Sequence, residues 1–318
     1  MNNKGTKIAI LGAGNVGATI AYTLTISGMA SEIVLIDINR DKAKGEAMDI
    51  IQGTVFCPPT DIYAGDYSAA KDANIVIVTL GLARKPGQTR LDLAQANVNI
   101  IRDVMPQIAK YAPHANYVVV SNPVDILTYA ILKVTDLKPA QVMGSGTMLD
   151  TSRLRSNLAA HVGLGPRNVH AYVLGEHGDS AVFPWSLASI GGLRMTEYCT
   201  LICEKHNQCG KGDLSALEED VRTSGSKIIG YKGATYYAIA LSVRHMCECL
   251  LRESKSLLTV SSLLVGEYGI EDVCLSIPFI VNSQGVLGSI PSPLTETEHA
   301  ALLNSAASLK NVISQITI

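Results

Sequence analysis

The sequence lacks any apolar run approaching the roughly 18 residues that a membrane-spanning helix needs. It also lacks a cluster of basic residues, because lysines and arginines are scattered along 318 residues whose formal net charge is −2. These absences argue against a membrane protein and against a nucleic-acid partner, which requires a concentrated basic patch. Charged residues make up only 17% of the chain and hydrophobic residues 47%, which excludes wholesale disorder and predicts a large core.

The cysteines follow no pattern and form no C-x-x-C pair. An odd, unpatterned set without a recognisable signal peptide favours reduced thiols in a cytoplasmic protein. Cys199 and Cys203 could share a helical face, but no pair of histidines accompanies them, so we expect no metal site. We expect structural or incidental roles for all seven: Cys57, Cys199, Cys203, Cys209, Cys247, Cys249 and Cys274.

The first half of the chain alternates short apolar runs with helical patterns. This alternation predicts an α/β fold in which helices cover both faces of a doubly wound parallel sheet. We place the end of that sheet at Val142–Gly144. The other predicted strands are Lys7–Leu11, Ile33–Asp37, Ile62–Ala64, Ile75–Thr79 and Tyr117–Ser121, and the first two helices are Asn15–Ser27 and Asp41–Gly53.

The pattern changes after about Gly146, where helical periodicity and strand-like runs no longer alternate regularly. This mixture predicts an α+β unit. We therefore expect two domains, 1–145 and 146–318, packed directly on each other without a flexible linker. The predicted helices are Thr151–His161, Leu214–Ile229, Thr235–Arg252 and Glu296–Ile316, and the strand-like runs are Leu257–Val265, Val273–Val281 and Val286–Ile290.

A glycine-rich segment follows the first predicted strand and opens a helix; it reads Gly12-Ala13-Gly14-Asn15-Val16-Gly17. The pattern G-x-G-x-x-G is weak evidence alone, but this context is typical of a dinucleotide site. The first glycine makes a tight turn, the second lets the backbone approach a pyrophosphate, and the third lets the helix pack closely. The helix N-terminus offers free N–H groups to the phosphates. The alternative is a turn that binds nothing.

Asp37 lies 20 residues beyond Gly17, directly after the apolar run Ile33–Ile36. A carboxylate at this position accepts hydrogen bonds from the adenosine ribose and would repel the 2′-phosphate of NADP. The sequence therefore predicts NAD as the cofactor. A solvated aspartate at a strand end is the alternative.

A nicotinamide enzyme that oxidises an alcohol needs a base and a cation for an anionic substrate. His177 lies between two glycines, which predicts a tight loop that presents its ring to a cavity, and imidazole titrates near neutral pH. Asp150 and Arg153 are three residues apart and share a helical face. Asp150 could hold the Nδ1–H of His177, and Arg153 could bind a substrate carboxylate through its planar fork. An ordinary surface ion pair is the alternative.

Residues 81–90 (GLARKPGQTR) leave the carboxyl edge of the predicted sheet, where ligands bind. Glycine, proline and three cations predict a lid that closes over an anionic substrate and excludes water. Arg90 is our candidate for polarising the substrate carbonyl. A solvated loop is the alternative.

Together these residues resemble the L-lactate and malate dehydrogenase superfamily along essentially the whole chain. The matching segments, in the family's order, are GAGNVG, IVLID, RKPGQTRLDL, SNPVDILTY, LDTSRLR and GEHGDS. The resemblance implies a Rossmann domain followed by a substrate domain, and reversible exchange between an L-2-hydroxy acid and a 2-oxo acid. It implies these roles: His177 as proton donor and acceptor, Asp150 as its orienting partner, Arg153 as carboxylate clamp, Arg90 as carbonyl polariser, Asn122 beside substrate and nicotinamide, and Thr235 in the pocket wall.

Within the superfamily, the segments GEHGDS, RLDL and KGAT resemble bacterial L-lactate dehydrogenases, which act on pyruvate and L-lactate. Arg84 differs, because lactate dehydrogenases usually carry glutamine at this lid position. Malate dehydrogenases carry an arginine there that pairs with the second substrate carboxylate. Since hydrogen bonds to charged groups contribute about 1.5–3 kcal/mol each, oxaloacetate and L-malate remain the alternative substrates.

The resemblance also suggests an allosteric effector and an oligomeric state. In family members that fructose 1,6-bisphosphate activates, an arginine and a histidine bind its phosphates across a subunit interface. Arg155 and His170 stand at the matching positions, and ordinary surface roles are the alternative. The family implies a homotetramer, less often a dimer.

Three rival functions are compatible with part of the pattern. A dinucleotide sensor would keep the glycine segment but would need no base, carboxylate clamp or lid. A branched-chain 2-hydroxyacid dehydrogenase requires an apolar entrance to its substrate pocket, and the charged Arg84 argues against one. NAD-dependent glycosidases use a metal, and the sequence has no matching Cys–His constellation.

Overall fold

A computed structural model describes residues 5–82, 89–203 and 214–318. Its first half contributes six parallel strands in the order β3-β2-β1-β4-β5-β6. This is the strand order of doubly wound dinucleotide-binding sheets, so the predicted fold class is confirmed. The strands are β1 (Lys7–Leu11), β2 (Glu32–Ile36), β3 (Asp61–Gly65), β4 (Ile75–Val78), β5 (Asn116–Val119) and β6 (Val142–Gly144).

Four helices connect these strands, and the central strands are apolar runs because helices cover both of their faces. β4 (IVIV) and β5 (NYVV) are buried at every position. One 3₁₀ turn at Thr54–Phe56 follows the second helix, another at Tyr67–Ala70 follows β3, and a third at Pro139–Gln141 follows the fourth helix. The helices are α1 (Asn15–Ser27), α2 (Arg40–Gln52), α3 (Arg90–Tyr111) and α4 (Val124–Val134).

The second half mixes helices with short antiparallel strands, as predicted for an α+β unit. Its helices are α5 (Met148–Val162), α6 (Met195–Tyr198, continued by a π turn at Cys199–Cys203), α7 (Leu214–Lys232), α8 (Tyr237–Leu250) and α9 (Glu296–Ile313). Its strands are β7 (Val169–His170), β8 (Ser189–Ile190), β9 (Leu193–Arg194), β10 (Ser256–Leu258), β11 (Ser261–Val265), β12 (Glu271–Ser276), β13 (Phe279–Asn282) and β14 (Gly285–Ser289). Further 3₁₀ turns lie at Pro166–Asn168, Trp185–Leu187 and Glu267–Gly269.

In the structure, each of two strand-like runs that the sequence predicts as continuous is divided into two strands. The run Leu257–Val265 is divided between β10 and β11, and Val273–Val281 is divided between β12 and β13. In both cases the chain leaves one sheet and enters another, since β11 and β12 belong to the large sheet and β10 and β13 to a three-stranded sheet. Residues 258–261 and 276–279, where the chain changes sheets, are buried, so the apolar pattern continues across each switch.

The prediction that Val142–Gly144 ends the large sheet is wrong. β11 pairs antiparallel with β6 through Ser261 opposite Gly144, and β12 forms the outer edge. A Cβ on Gly144 would lie only 3.0 Å from the Cβ of Ser261, so glycine permits this close strand approach. The second half of the chain therefore completes the sheet of the first.

One hydrophobic core follows this shared sheet and contains residues from both halves of the chain. A smaller core lies under α5 and α7. Within the described ranges, every helix is too short or too polar to cross a membrane.

Candidate active site

The glycine-rich segment forms a tight turn between β1 and α1. Gly12 adopts a φ of 100° and donates its N–H to the carbonyl of Ile36 at 2.7 Å. A Cβ on Gly17 would lie 1.9 Å from the carbonyl oxygen of Gly12, so this turn accepts only glycine there. The cap residue of α1 is Gly14, and a Cβ placed on it would meet nothing within 4 Å. An uncapped helix N-terminus facing open space fits the pyrophosphate of a dinucleotide.

Asp37 follows β2 and turns its carboxylate toward the glycine turn. Its Oδ2 accepts the N–H of Ala13 at 2.6 Å, and its Oδ1 accepts the N–H of Asn39 at 2.8 Å. Asp37 also lines a groove of about 490 Å³ together with Gly65 and Tyr67. The carboxylate therefore lies where an adenosine ribose would follow a pyrophosphate bound at the glycine turn.

Asp150 joins the predicted base to the predicted clamp. Its Oδ2 lies 2.5 Å from Nδ1 of His177, and its Oδ1 accepts Nη1 of Arg153 at 3.0 Å. Asp150 and Arg153 share the first turns of α5, which begins three residues earlier than the predicted Thr151. The side chain of Asp150 is 9% exposed, that of Arg153 is 14% exposed and that of His177 is 26% exposed.

The loop that carries His177 is fixed at its base by two other elements. Gly175 exchanges backbone hydrogen bonds with Ser276 of β12 at 2.8 and 3.2 Å. The N–H of Glu176 bonds to Oγ of Ser305 in α9 at 2.8 Å. The loop is tight because Gly175 has a φ of 85° and the N–H of Gly178 returns to the carbonyl of Glu176. The predicted loop is confirmed, and its anchors lie far away in sequence.

The charges around His177 favour an ion pair with Asp150. Burial lowers the pKa of His177, but the charge and hydrogen bond of Asp150, aided by the charge of Asp125, raise it to about 9. Burial raises the pKa of Asp150, but His177 and Arg153 reverse this and hold it below its usual range. At neutral pH the pair is therefore an imidazolium and a carboxylate.

His177 faces a cleft of about 340 Å³ between the two halves of the chain. A neighbouring cleft of about 550 Å³ lies beside the ends of β4 and β5. Val16, Asn122 and Thr235 line both, so the space from the glycine helix to His177 is continuous. The structure therefore brings six predicted site residues to one cleft: Val16, Asn122, Asp150, Arg153, His177 and Thr235.

Arg90 differs from its prediction. It is the first residue of α3, not a loop residue, because Thr89 and Asp92 form a capping box that starts the helix there. Its Nη1 lies 2.5 Å from Oδ2 of Asp179, and its side chain is 67% exposed. Asp179 lines the cleft of His177, whereas Arg90 stands outside it. Arg84, the predicted specificity residue, lies outside the described residues.

One face of α7 belongs to the site and was missed in the sequence. Arg222, Gly225, Ser226 and Ile229 line the cleft. Arg222 donates to the carbonyl of Ala181 at 3.0 Å and pairs with Glu218 at 3.2 Å. The spacing i, i+3, i+4, i+7 was the available signal for this face.

Asn97 in α3 is a second missed residue. Its side chain accepts the N–H of Leu82 at 2.8 Å and donates to the backbone carbonyl of Asn122 at 2.7 Å. It therefore holds the segment that carries Asn122 against the start of the predicted lid. No local sequence pattern marks this role.

The predicted effector residues lie in different places. Arg155 lines a separate groove of about 440 Å³ together with Arg167 and His245. His170 is exposed on β7 and is not part of that groove's lining. Among the residues the structure describes, no group of three or more histidine, cysteine, aspartate or glutamate side chains could hold a metal ion.

A dinucleotide-binding turn and a histidine–aspartate pair that open into one cleft define a dinucleotide-dependent oxidoreductase. Two family models cover almost the whole chain. Residues 6–144 match the NAD binding domain of lactate/malate dehydrogenase, and residues 147–317 match its alpha/beta C-terminal domain. The chain belongs to the lactate/malate dehydrogenase family, and its cofactor is NAD.

Curated relatives support this assignment. L-lactate dehydrogenase 1 of Clostridium acetobutylicum is 46% identical over 313 residues, covering 98% of this chain and 99% of the relative. L-lactate dehydrogenase of Thermoanaerobacterium saccharolyticum is also 46% identical, covering 98% and 100%. Among solved structures, the minor L-lactate dehydrogenase of Enterococcus mundtii in its ligands-bound form has a TM-score of 0.94 at 40% identity and covers 99% of both chains. These relatives favour the lactate assignment over the malate alternative.

Proposed function

We propose that this protein is an L-lactate dehydrogenase, which reduces pyruvate to L-lactate with NADH and catalyses the reverse reaction with NAD. The observation that carries the proposal is the 2.5 Å contact between Nδ1 of His177 and Oδ2 of Asp150, with Arg153 on the other oxygen of the same carboxylate. This arrangement provides a proton donor, its orienting partner and a cation in one cleft.

The residues have distinct roles in this reaction. The guanidinium of Arg153 binds the pyruvate carboxylate, with Asn122 and Thr235 beside it in the cleft wall. His177, as an imidazolium, donates the proton of Nε2 to the C2 oxygen of pyruvate. Asp150 stays ionised and stabilises the charged ring. Arg90 polarises the C2 carbonyl after leaving Asp179.

NAD fits the glycine turn, where the uncapped start of α1 and Gly14 face open space. We assign its pyrophosphate to Gly12, Gly14 and the helix start at Asn15 and Val16, while Gly17 lets the helix pack closely against the turn. Asp37 would hold the adenosine ribose, and Asn122 would stand beside the nicotinamide. When bound, NADH supplies the hydride that reduces C2.

Comparing kcat/KM for pyruvate and oxaloacetate tests this function. We expect NADH oxidation with pyruvate to exceed that with oxaloacetate at least about 10-fold, because a second carboxylate that enters the cleft without a cationic partner loses charged hydrogen bonds to water, which contribute about 1.5–3 kcal/mol each. A branched 2-oxo acid and a reaction without oxo acid serve as controls. A preference for oxaloacetate would contradict the proposal and assign Arg84 to a second substrate carboxylate.

The pH dependence follows from the ion pair at His177. Burial opposes the charge, but Asp150 and Asp125 raise the pKa of His177 to about 9. Pyruvate reduction requires the protonated ring, so kcat/KM for pyruvate should be level through neutral pH and fall above about pH 9. L-lactate oxidation requires the neutral ring and should increase toward the same pH. A pyruvate profile that already falls near the ordinary histidine pKa, about 6.5, would contradict this assignment.

We further propose that residues 1–145 form the NAD-binding domain and 146–318 the substrate domain. The two family models, which meet between residues 144 and 147, support this division.

The free thiols of Cys57, Cys247, Cys249 and Cys274 support a cytoplasmic location, where this reaction regenerates NAD during fermentation.

A homotetramer is the assembly we propose. Its support is an exposed apolar surface on α1, α2 and α8, where α1 packs directly on α8. Such a surface is typical of subunit interfaces. Sedimentation velocity gives the number of subunits directly. The side chains of this surface are Tyr22, Ile26, Met48, Ile51, Tyr237 and Leu241.

We propose fructose 1,6-bisphosphate as an effector of that assembly. Arg155 with Arg167 supplies two cations to one groove, and the exposed His170 is not among the residues that line it, so we assign His170 to the phosphate bound by a neighbouring subunit. Titrating the sugar bisphosphate at low pyruvate tests this hypothesis, and an unchanged rate would remove it.

A further inference from the structure

A second buried carboxylate stands behind the loop of His177. Asp125, in the first turn of α4, is 3% exposed, and its Oδ2 accepts the backbone N–H of His177 at 2.9 Å. Among the described residues, neither its Oδ1 nor the fully buried hydroxyl of Ser261 has a well-aligned hydrogen-bond partner, although that hydroxyl still acts to lower the pKa of the carboxylate. One oxygen of this carboxylate therefore binds the backbone of the catalytic loop, and the other has no well-aligned hydrogen bond.

Asp125 lies where the two halves of the chain meet. α4 belongs to the first half and begins two residues after Asn122 of the cleft. The loop of His177 and Ser261 of β11 belong to the second half, and Ser261 pairs with β6 at Gly144. One short segment thus presents Asn122 to the cleft and anchors the backbone of His177 from behind.

A charge at this place destabilises the fold. Burial raises the pKa of Asp125 to about 6, although the Ser261 hydroxyl and the N–H and charge of His177 act to lower it. An asparagine could accept the backbone N–H of His177 and donate a hydrogen bond to the Ser261 hydroxyl without burying a charge. Packing and hydrogen bonding therefore favour asparagine, and a carboxylate here requires another explanation.

The explanation lies in the charges that face the imidazole. Asp150 and Arg153 face His177 from α5, one negative and one positive. Asp125 adds a negative charge from α4, and Glu176 of the loop and Cys274 of β12 face Asp125 in turn. The positive charge of Arg153 offsets part of the rise that Asp150 causes in the pKa of His177. The negative charge of Asp125 raises this pKa again and so favours the protonated ring.

We propose that Asp125 is a positioning residue that fixes the backbone of His177 and, as a second carboxylate behind the ring, keeps the ring protonated for oxo-acid reduction. This inference rests on the proposed function of His177 as proton donor. The proposal also couples the protonation of Asp125 to that of His177, because protonation of Asp125 in acid removes one of the two negative charges that hold the proton on His177.

The test is Asp125→Asn in the full-length enzyme. Removing one neighbouring charge should move the alkaline fall of kcat/KM for pyruvate to lower pH by about one pH unit, while activity at pH 6 stays within about threefold. Diethyl pyrocarbonate acylates imidazole in its neutral form and not as imidazolium, so its pH-dependent reaction with His177 in the cofactor-free enzyme should shift equally. The His177→Asn variant provides the background from the other histidines.

Thermal stability separates this role from a structural one. The pKa of Asp125 in the folded chain lies above its ordinary value because of burial, so the ionised group destabilises the fold above about pH 6. Asp125→Asn should therefore melt no lower than the parent enzyme at pH 8. A lower melting temperature with an unshifted pH profile would mean that Asp125 only holds the fold, and would overturn the proposal.

Two further variants complete the design. Asp272→Asn removes an exposed carboxylate that pairs with Lys133 of α4 at 3.1 Å, and it should leave both pH profiles unchanged. Ser261→Ala keeps the carboxylate but removes the hydroxyl that lowers its pKa, so His177 should react faster with the reagent at pH 7. If Asp125→Asn does not fold, an unchanged rate in Ser261→Ala overturns the inference. Full activity of His177→Asn would instead overturn the proposed function.

Discussion

Replacing His177 with asparagine should lower kcat for pyruvate reduction by about 10²- to 10⁴-fold, the contribution of a positioned general acid. Asparagine can still bond to Oδ2 of Asp150, which His177 contacts at 2.5 Å, but it carries no proton that titrates in water. The site would keep its shape and lose its acid. Affinity for NADH, followed by the fluorescence of the bound nicotinamide, should remain within about threefold, a change below 1 kcal/mol.

The matched control for this variant is His114→Asn, an exposed histidine elsewhere in the chain. It should keep the parent kcat. Turnover by His177→Asn near the parent rate would show that the proton comes from another group, and the roles of Asp150 and Arg153 would fail with it. A loss of NADH binding as large as the loss of kcat would instead indicate a damaged fold.

The predictable part of this site depends on short-range geometry. The glycine turn follows from steric limits within six residues, since a Cβ on Gly17 would collide with Gly12. Asp150 and Arg153 meet because they are three residues apart on a helix. The glycines on both sides of His177 predict the tight loop that presents its ring. In each case the sequence pattern contains both partners or the turn that presents them.

The remaining contacts join residues that no local pattern relates. Arg90 and Asp179 are 89 residues apart, and Asp125 and His177 are 52 apart. The pairing of β11 with β6 has the same character, since it depends on a close approach at Gly144. Asp125 lies three residues after Asn122 in the sequence, but its contact with His177 forms only because α4 packs against a loop of the second half of the chain.

The position of Arg90 shows how these distant contacts affect the chemistry. Its side chain is paired with Asp179 and is mostly exposed, whereas Arg153 lies inside the cleft and is mostly buried. Arg153 is therefore in place before substrate arrives, and Arg90 must change partners. We expect loss of Arg153 to weaken binding of the oxo acid, and loss of Arg90 to act mainly on kcat.

Arg153→Gln should therefore reduce kcat/KM for pyruvate by about 10²- to 10⁴-fold, chiefly through KM. A planar guanidinium gives a carboxylate two charged hydrogen bonds, which contribute about 1.5–3 kcal/mol each. Arg153→Lys keeps the charge without the fork, so its loss should be intermediate. Steady-state kinetics at saturating NADH measures both variants.

Arg153 also contacts Asp150 at 3.0 Å, so its removal changes the electrostatics of His177 in a defined direction. Its positive charge lowers the pKa of His177, although burial and Asp150 have larger effects. The alkaline fall of the pyruvate profile in Arg153→Gln should therefore move to higher pH, opposite to the shift expected for Asp125→Asn. Arg102→Gln, at an exposed arginine of α3, is the matched control and should change neither KM nor the profile. An unchanged KM in Arg153→Gln would place the substrate carboxylate elsewhere in the cleft, with Arg222 as the next cation to replace.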